Sequence, residues 1–366
     1  MAGWTDFGNI WNTFKEIDIR PIADEAERPL TLAFVGAPGV GKSTLIAAMR
    51  HDAREREKMI SPTIESDLEN AAQLDADLIV LVVDAQARNL SDEAALCRAL
   101  NEAGRSILIF YNKMDAIPNG NAIAMTVTSW CDAKITYGSA IDPDTLAADF
   151  VPRVHELLRE RQLALARRYP IFRMAVARAL INDTSSASAT YALSTGLAEI
   201  VPALNIPFNL ADIVVLTKNQ ALMVYKLGLA FGLSTRWQDH LAKFGGVIGA
   251  GFLWRQIARE LIGLIPGWGI VPKVAIAYAG TYAVGEAILR WYRTGGKVSS
   301  QGMKEIYADA LARGKRIAQD LIARAPKVSL PALPRPAMPT RNVVCANCSR
   351  TNPRGARFCA YCGMSL

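Results

Sequence analysis

Hydrophobic and polar positions change rhythm several times along this chain. Trp4, Phe7, Trp11, Phe14 and Ile17 recur at three- and four-residue steps, one apolar stripe on a short helix that should end before Pro21. Past Pro29 the pattern turns to short unbroken apolar runs: Leu30–Val35, Leu78–Val83 and Ile107–Tyr111, with a weaker one at Lys134–Tyr137. Such runs predict strands, and helical spacing over 44–58, 91–103 and 144–168 separates them. Strands that are apolar throughout and alternate with helices predict a parallel sheet covered on both faces.

From about residue 170 the strand signal fades. Residues 171–325 read as helices rich in Ala, Leu and Ile, broken at Pro202, Pro207, Gly245-Gly246, Pro266-Gly267 and Gly295-Gly296. Five prolines between 326 and 341 predict a semi-rigid extended linker. The expected organisation is an amphipathic N-terminal helix in 1–29, an α/β domain over 30–170, an all-α domain over 171–325, the linker 326–341 and a small cysteine-rich module over 342–366. No internal repeat stands out.

Composition narrows the classes. At 366 residues, 51% hydrophobic and 20% charged, the chain is too apolar to be disordered throughout. No uninterrupted run reaches the ~20 apolar residues of a membrane span. The start lacks the basic and apolar regions of a secretory signal, so the expected location is cytoplasmic, with thiols in a reducing compartment. Residues 1–150 hold 13 basic against 23 acidic side chains, whereas 151–366 hold 28 against 11. A basic back half suits an anionic partner, either lipid headgroups or nucleic acid; solvated helix faces are the plainer explanation.

Cys97 and Cys131 stand apart and read as small buried apolar residues. Cys345, Cys348, Cys359 and Cys362 form two C-x-x-C pairs ten residues apart, the spacing of a four-thiolate Zn²⁺ site with a structural role. His51, His155 and His240 have no metal or catalytic spacing and are expected at the surface.

Gly36-Ala-Pro-Gly-Val-Gly-Lys-Ser43 fits G-x-x-x-x-G-K-[ST] between a strand and a helix that opens at Thr44. Gly36, Gly39 and Gly41 let backbone N–H groups close on phosphate. Lys42 would reach the β/γ-phosphates and Ser43 would ligate Mg²⁺. Asn112-Lys113-Met-Asp115 follows a strand directly. Its Asp can accept from two guanine N–H donors, and Asn112 would tie this loop to the phosphate loop. Ser139-Ala140, again after a strand, would offer a backbone N–H to the base.

With these motifs in place, residues 30–168 resemble an Era-type GTPase domain of the translation-factor class. The resemblance implies GTP/GDP and Mg²⁺ as ligands, phosphate and magnesium contacts from Gly36, Gly41, Lys42 and Ser43, and guanine contacts from Asn112, Lys113, Asp115, Ser139 and Ala140. Leu78–Ala85 resembles the fourth strand of that family. The D-x-x-G of such GTPases is missing, and only 40 residues separate Ser43 from Asp84, so a shortened switch region is expected. Thr63 is spaced like the switch Thr that ligates Mg²⁺. Slow or partner-assisted hydrolysis is expected, which leaves open whether the protein is an enzyme.

Asn205–Leu233, with Asp212, Thr217, Lys218, Asn219 and Gln220, resembles a bacterial helical domain of unknown function that often follows Era-like GTPases. The resemblance covers about 170–295 and implies membrane association. Asp212, Lys218 and Gln220 form either a functional polar cluster or a buried structural network. Within 244–292 a helical hairpin is expected, turning at Leu264–Pro272 and interrupted by Arg255, Arg259 and Glu260. Its Trp268 tip suits shallow insertion at the inner face of the membrane; a soluble bundle and, less readily, full spanning are the other readings. Residues 350–358 resemble the loop of short bacterial zinc ribbons. Three functions follow: a GTP-binding regulatory switch whose helical domain grips a membrane or protein partner, a ribosome- or RNA-associated GTPase, or a scaffold with permanently bound GTP.

Overall fold

A computed structural model describes residues 18–51, 62–117, 130, 132–198, 210–240, 270–295, 299–324, 343–352 and 357–366. The chain forms two compact units, Met1–Ile322 and Ala323–Leu366. In chain order the first unit carries α1 (Arg20–Glu27), β1 (Leu32–Val35), α2 (Lys42–Arg50), β2 (Thr63–Ser66), β3 (Leu78–Asp84), α3 (Ser91–Glu102), β4 (Ile107–Asn112) and β5 (Lys134–Tyr137). A helical run follows, including α4 (Val151–Leu157) and α5 (Gln162–Arg168). The long helices come next: α6 (Arg173–Ala198), α7 (Leu210–Ala230), α8 (Ile270–Thr294) and α9 (Ser300–Arg324).

The sheet has five parallel strands in the order β2-β1-β3-β4-β5, the covered parallel sheet expected. Its middle strands are buried along their length, which is why their sequences are continuous apolar runs. Strand β2 was not expected. It lies at the sheet edge, its Thr-Ile-Glu-Ser is only half-buried, and an edge strand of that kind needs no apolar run. Where a shortened switch region was expected, the described residues place one parallel strand. Pro21 sits in the first turn of α1, where a missing N–H is harmless; the helix expected to end before it lies outside the described residues.

Side chains alternate between the two faces of the sheet. Ala33, Val35, Ile79, Leu81, Val83 and Ile109 build a core with α3. Leu32, Phe34, Val80, Val82, Leu108 and Phe110 build another, which runs on through Phe150, Tyr169 and Phe172 into the long helices at Val176, Val274, Ile288 and Ile306. One buried cluster therefore continues across residue 170. Helix α8 meets α6 so closely that a Cβ at Gly285 would lie 2.6 Å from Ile181, and a Cβ on Gly314 of α9 would lie 2.7 Å from the Ala275 carbonyl.

The polar set on α7 is partly resolved. Gln220 is buried, and its Nε2 donates to Thr281 Oγ1 at 3.3 Å; Thr281 in turn lies 3.1 Å from Ser188 Oγ. Through Gln220 this network ties α6, α7 and α8. Thr217 is buried beside it in sequence, Lys218 and Asn219 are half-buried, and the Asp212 side chain lies outside the described residues. Pro272 falls in the first turn of α8. No described helix is long and apolar enough to cross a membrane. Residues 4–17, Cys131, the hairpin turn with Arg255, Arg259, Glu260 and Trp268, and the linker 326–341 lie outside the described residues.

Two histidines correct the surface expectation. His155 is buried with Nε2 3.0 Å from Gln162 Oε1, and His240 is buried against the Tyr225 ring. His51 is exposed. Cys97 is buried as expected. The second unit contributes β6 (Val343–Val344) and β7 (Thr351–Asn352), an antiparallel pair.

Candidate functional site

The C-terminal ends of β1, β2, β3 and β4 converge on one group of loops. Leaving β1, the chain turns through Gly36-Ala-Pro-Gly-Val-Gly41 into α2, with Gly41 capping the helix at φ +98°. Two glycines here are required by space. A Cβ on Gly36 would lie 2.3 Å from the Val82 carbonyl oxygen, and one on Gly41 would lie 2.2 Å from Asn112 Nδ2. The loop thus packs against β3 and β4 with its backbone.

Lys42 is buried, and its ammonium donates to the carbonyls of Gly36 (2.7 Å) and Ala37 (3.1 Å) and to Asp67 Oδ1 (3.1 Å). The Ser43 hydroxyl donates to Glu65, 2.8 and 3.0 Å from its two carboxylate oxygens. Glu65 lies near the end of β2 and Asp67 just after it. Sequence reading missed both acids; their only trace was a carboxylate in a short β-branched stretch after the first helix. A hydroxyl and a carboxylate beside a phosphate-type loop are the oxygen donors that Mg²⁺ prefers. Thr63 is not brought to this place. It sits at the other end of β2, paired with Leu32, and its hydroxyl accepts from Arg50. Thr44 is exposed in the first turn of α2, and Gly39 lies in the left-handed region at the open side of the loop.

Asn112 joins three segments. Its Nδ2 donates to the Val40 carbonyl at 2.7 Å, and its Oδ1 accepts from the Ala140 N–H at 2.8 Å, all three residues being buried. The tie between Asn112 and the phosphate loop is therefore present. Lys113 takes a left-handed conformation at φ +63°, and its Nζ donates to Asp84 Oδ2 at 2.6 Å; Asp84, the last residue of β3, was not singled out from sequence. Asp115 is exposed on the following turn and has no side-chain hydrogen bond among the described residues. The backbone N–H groups expected to meet a base are engaged: Ser139 N–H donates to Thr145 Oγ1 and Ala140 N–H to Asn112. The same loop instead presents Ile141, 72% exposed, the one exposed large hydrophobic side chain among the described residues of this unit. No sequence pattern marked it.

In the second unit the four cysteine sulfurs lie within 4.8 Å of one another. Sγ of Cys345 is 3.6 Å from that of Cys362, and Cys348 is 3.5 Å from Cys359. A disulfide would need ~2.05 Å; thiolates ~2.3 Å from a tetrahedral Zn²⁺ stand ~3.8 Å apart. The donor set fits zinc. A 14-residue repeat, not apparent beforehand, builds the cluster: Val344–Ser349 and Phe358–Gly363 each carry C-x-x-C, each ends in a left-handed residue, and the Ser349 and Gly363 N–H groups donate to the Cys345 and Cys359 carbonyls. Buried Asn352 donates to Cys359 Sγ at 3.4 Å and accepts from the Ala360 N–H. Burial pushes the Cys359 thiol up, but N–H donation from Tyr361, Cys362 and Asn352 outweighs it and brings it to about 6.

No protein-family model and no curated protein matches this chain. Among solved structures it is similar to a crystal structure of a probable GTP-binding protein, engB, at 20% identity and a TM-score of 0.27, over 36% of this chain and 99% of that one.

Proposed function

We propose that the first unit binds guanine nucleotide with Mg²⁺ and acts as a regulatory switch on its own long helices, and that the second unit holds structural Zn²⁺. The observation that carries the nucleotide reading is Asn112, which holds the phosphate-type loop, the end of β4 just before the turn bearing Asp115, and the Ala140 loop in one buried arrangement. Phosphates would lie on the loop N–H groups and the α2 N-terminus, where field and donors favour anions. Lys42 would balance their charge. Ser43 and Glu65 would hold Mg²⁺, which neutralises phosphate charge when bound. Asp115 would accept from the two guanine N–H donors, and Ile141 would cover an apolar face of the base.

Hydrolysis is proposed to be slow or partner-assisted. The switch reading draws support from packing. Helix α2 contacts Pro170–Phe172 at the start of α6, and the Tyr169 hydroxyl donates to the Pro62 carbonyl just before β2 at 3.0 Å. A change at β2 thus has a physical route into the helices, whose partner we propose to be a membrane surface or a protein. Titration calorimetry of GTP, GDP and ATP on wild type and Asp115→Asn, with phosphate release followed on the same samples, tests this. Guanine-selective binding lost in the variant is expected. Equal binding of ATP would refute the guanine assignment, and tight GTP binding without any turnover would favour a scaffold.

A further inference from the structure

Three of the four acidic or polar groups that crowd the phosphate-type loop have a role in the reading above; Asp67 does not. An ammonium has three donors, and all three of Lys42 are used, by two loop carbonyls and by Asp67. The carbonyls belong to the loop itself. Asp67 is the one partner outside the loop: its side chain is 63% exposed, and it stands just past β2, ahead of a short turn at Leu68–Gln73 that its own side chain does not cap. Lys42, by contrast, is 6% exposed and cannot turn outward without leaving the loop. A phosphate arriving at this ammonium therefore meets a carboxylate already there. Glu65 differs, because Mg²⁺ would sit between it and the phosphates. Among the described residues Asp67 pairs with Lys42 alone, and would share it with the incoming anion.

We propose that Asp67 is an internal competitor for the terminal phosphate, so that the site discriminates between guanosine diphosphate and triphosphate by carboxylate–phosphate repulsion at Lys42. The proposal rests on the nucleotide reading. A diphosphate brings one phosphate to the lysine, which reaches the β/γ positions in loops of this kind; a triphosphate brings a second, with more charge. Triphosphate must displace Asp67, and diphosphate can leave it in place. Displacement would pull on the end of β2, because Asp67 directly follows Ser66, the last residue paired to β1. The γ-phosphate would in this way be registered as movement of β2 and the 68–73 turn.

The test compares Mg²⁺-GTP and Mg²⁺-GDP affinities of full-length wild type, Asp67→Asn, Asp67→Ala and Asp67→Glu by calorimetry, with amide exchange over 62–74. Removing the charge should tighten GTP relative to GDP by about tenfold, a like-charge contact softened by the exposure of Asp67. Asp67→Glu, which keeps the charge, should hold the wild-type ratio. GTP should deprotect 66–74 in wild type more than GDP does, and this difference should vanish in Asp67→Asn. A GTP/GDP ratio that moves less than twofold in both neutral variants overturns the proposal alone. Wild type binding neither nucleotide overturns the proposal together with the nucleotide reading.

Discussion

Replacing Asn112 by Ala removes one side chain and two hydrogen bonds, and the structure sets the size of the effect. The Val40 carbonyl loses a donor at 2.7 Å and the Ala140 N–H loses an acceptor at 2.8 Å, and both residues are buried. Each orphaned group costs about 1–3 kcal/mol, so the fold loses about 2–6 kcal/mol. For a unit this large the melting temperature should fall by about 5–10 °C. Nucleotide binding suffers separately, because the ligand must now reorder the phosphate-type loop and the 138–141 loop. Fixing about three residues at about 1 kcal/mol each weakens GTP by about 100-fold. Asn112→Asp sharpens the reasoning: it keeps the Ala140 bond but turns a carboxylate oxygen toward the Val40 carbonyl. Burial and that carbonyl disfavour the charged form, so the folded-state pKa lies above the unfolded one. The folded variant then binds its proton more tightly, and stability should recover as pH falls toward 5, a trend Asn112→Ala lacks. Scanning calorimetry and GTP titration read both effects. GTP affinity within threefold of wild type in Asn112→Ala, or a melting temperature within 2 °C, would refute the clamp.

Other outcomes follow from the same coordinates. Glu65→Gln should weaken the Mg²⁺ dependence of GTP affinity about tenfold or more while leaving Mg²⁺-free GDP binding near wild type, measured by titration across Mg²⁺ concentrations. Purified protein should carry one zinc per chain by elemental analysis. Chelator, or Cys359→Ser, should abolish ordered amide signals over 343–366 and leave the melting transition of the first unit unmoved, because so small a module depends on its metal for folding. Thr281→Val leaves Gln220 Nε2 without its partner on α8 and should destabilise the first unit by about 1–3 kcal/mol in urea unfolding, with nucleotide selectivity unchanged.

How much was legible in advance tracks how strongly each feature had to be written into side chains. Strands β1, β3 and β4 are buried on both faces and left continuous apolar runs. Lys42, Ser43 and Asn112 were visible because their contacts need particular atoms at fixed spacing, and the cysteines for the same reason. β2 left no apolar run because an edge strand half in solvent tolerates Thr-Ile-Glu-Ser, and with it went Glu65 and Asp67, whose positions depend on that pairing. Ile141 was invisible since one exposed isoleucine on a loop has no period. His155 and His240 misled because a histidine can satisfy one ring nitrogen on a nearby Gln or carbonyl inside a helical core.

The core that runs across residue 170 bears on function. Separate domains would each need a closed core, but the sheet face bearing Phe34, Val82 and Phe110 is covered by Phe150 and Phe172, and the same cluster continues into α6 and α8. Closely packed interiors do not deform continuously. A shift of α2 or β2 on ligand binding must therefore be absorbed either at the exposed edge, through the 68–73 turn, or by repacking around Tyr169 and Phe172. Tyr169 is fully buried, with its hydroxyl held by Pro62, so the second route disturbs a satisfied buried bond while the first moves exposed backbone. Under the proposed reading, a small displacement of Asp67 is taken up at the edge, and only one that pulls Pro62 from Tyr169 reaches the long helices.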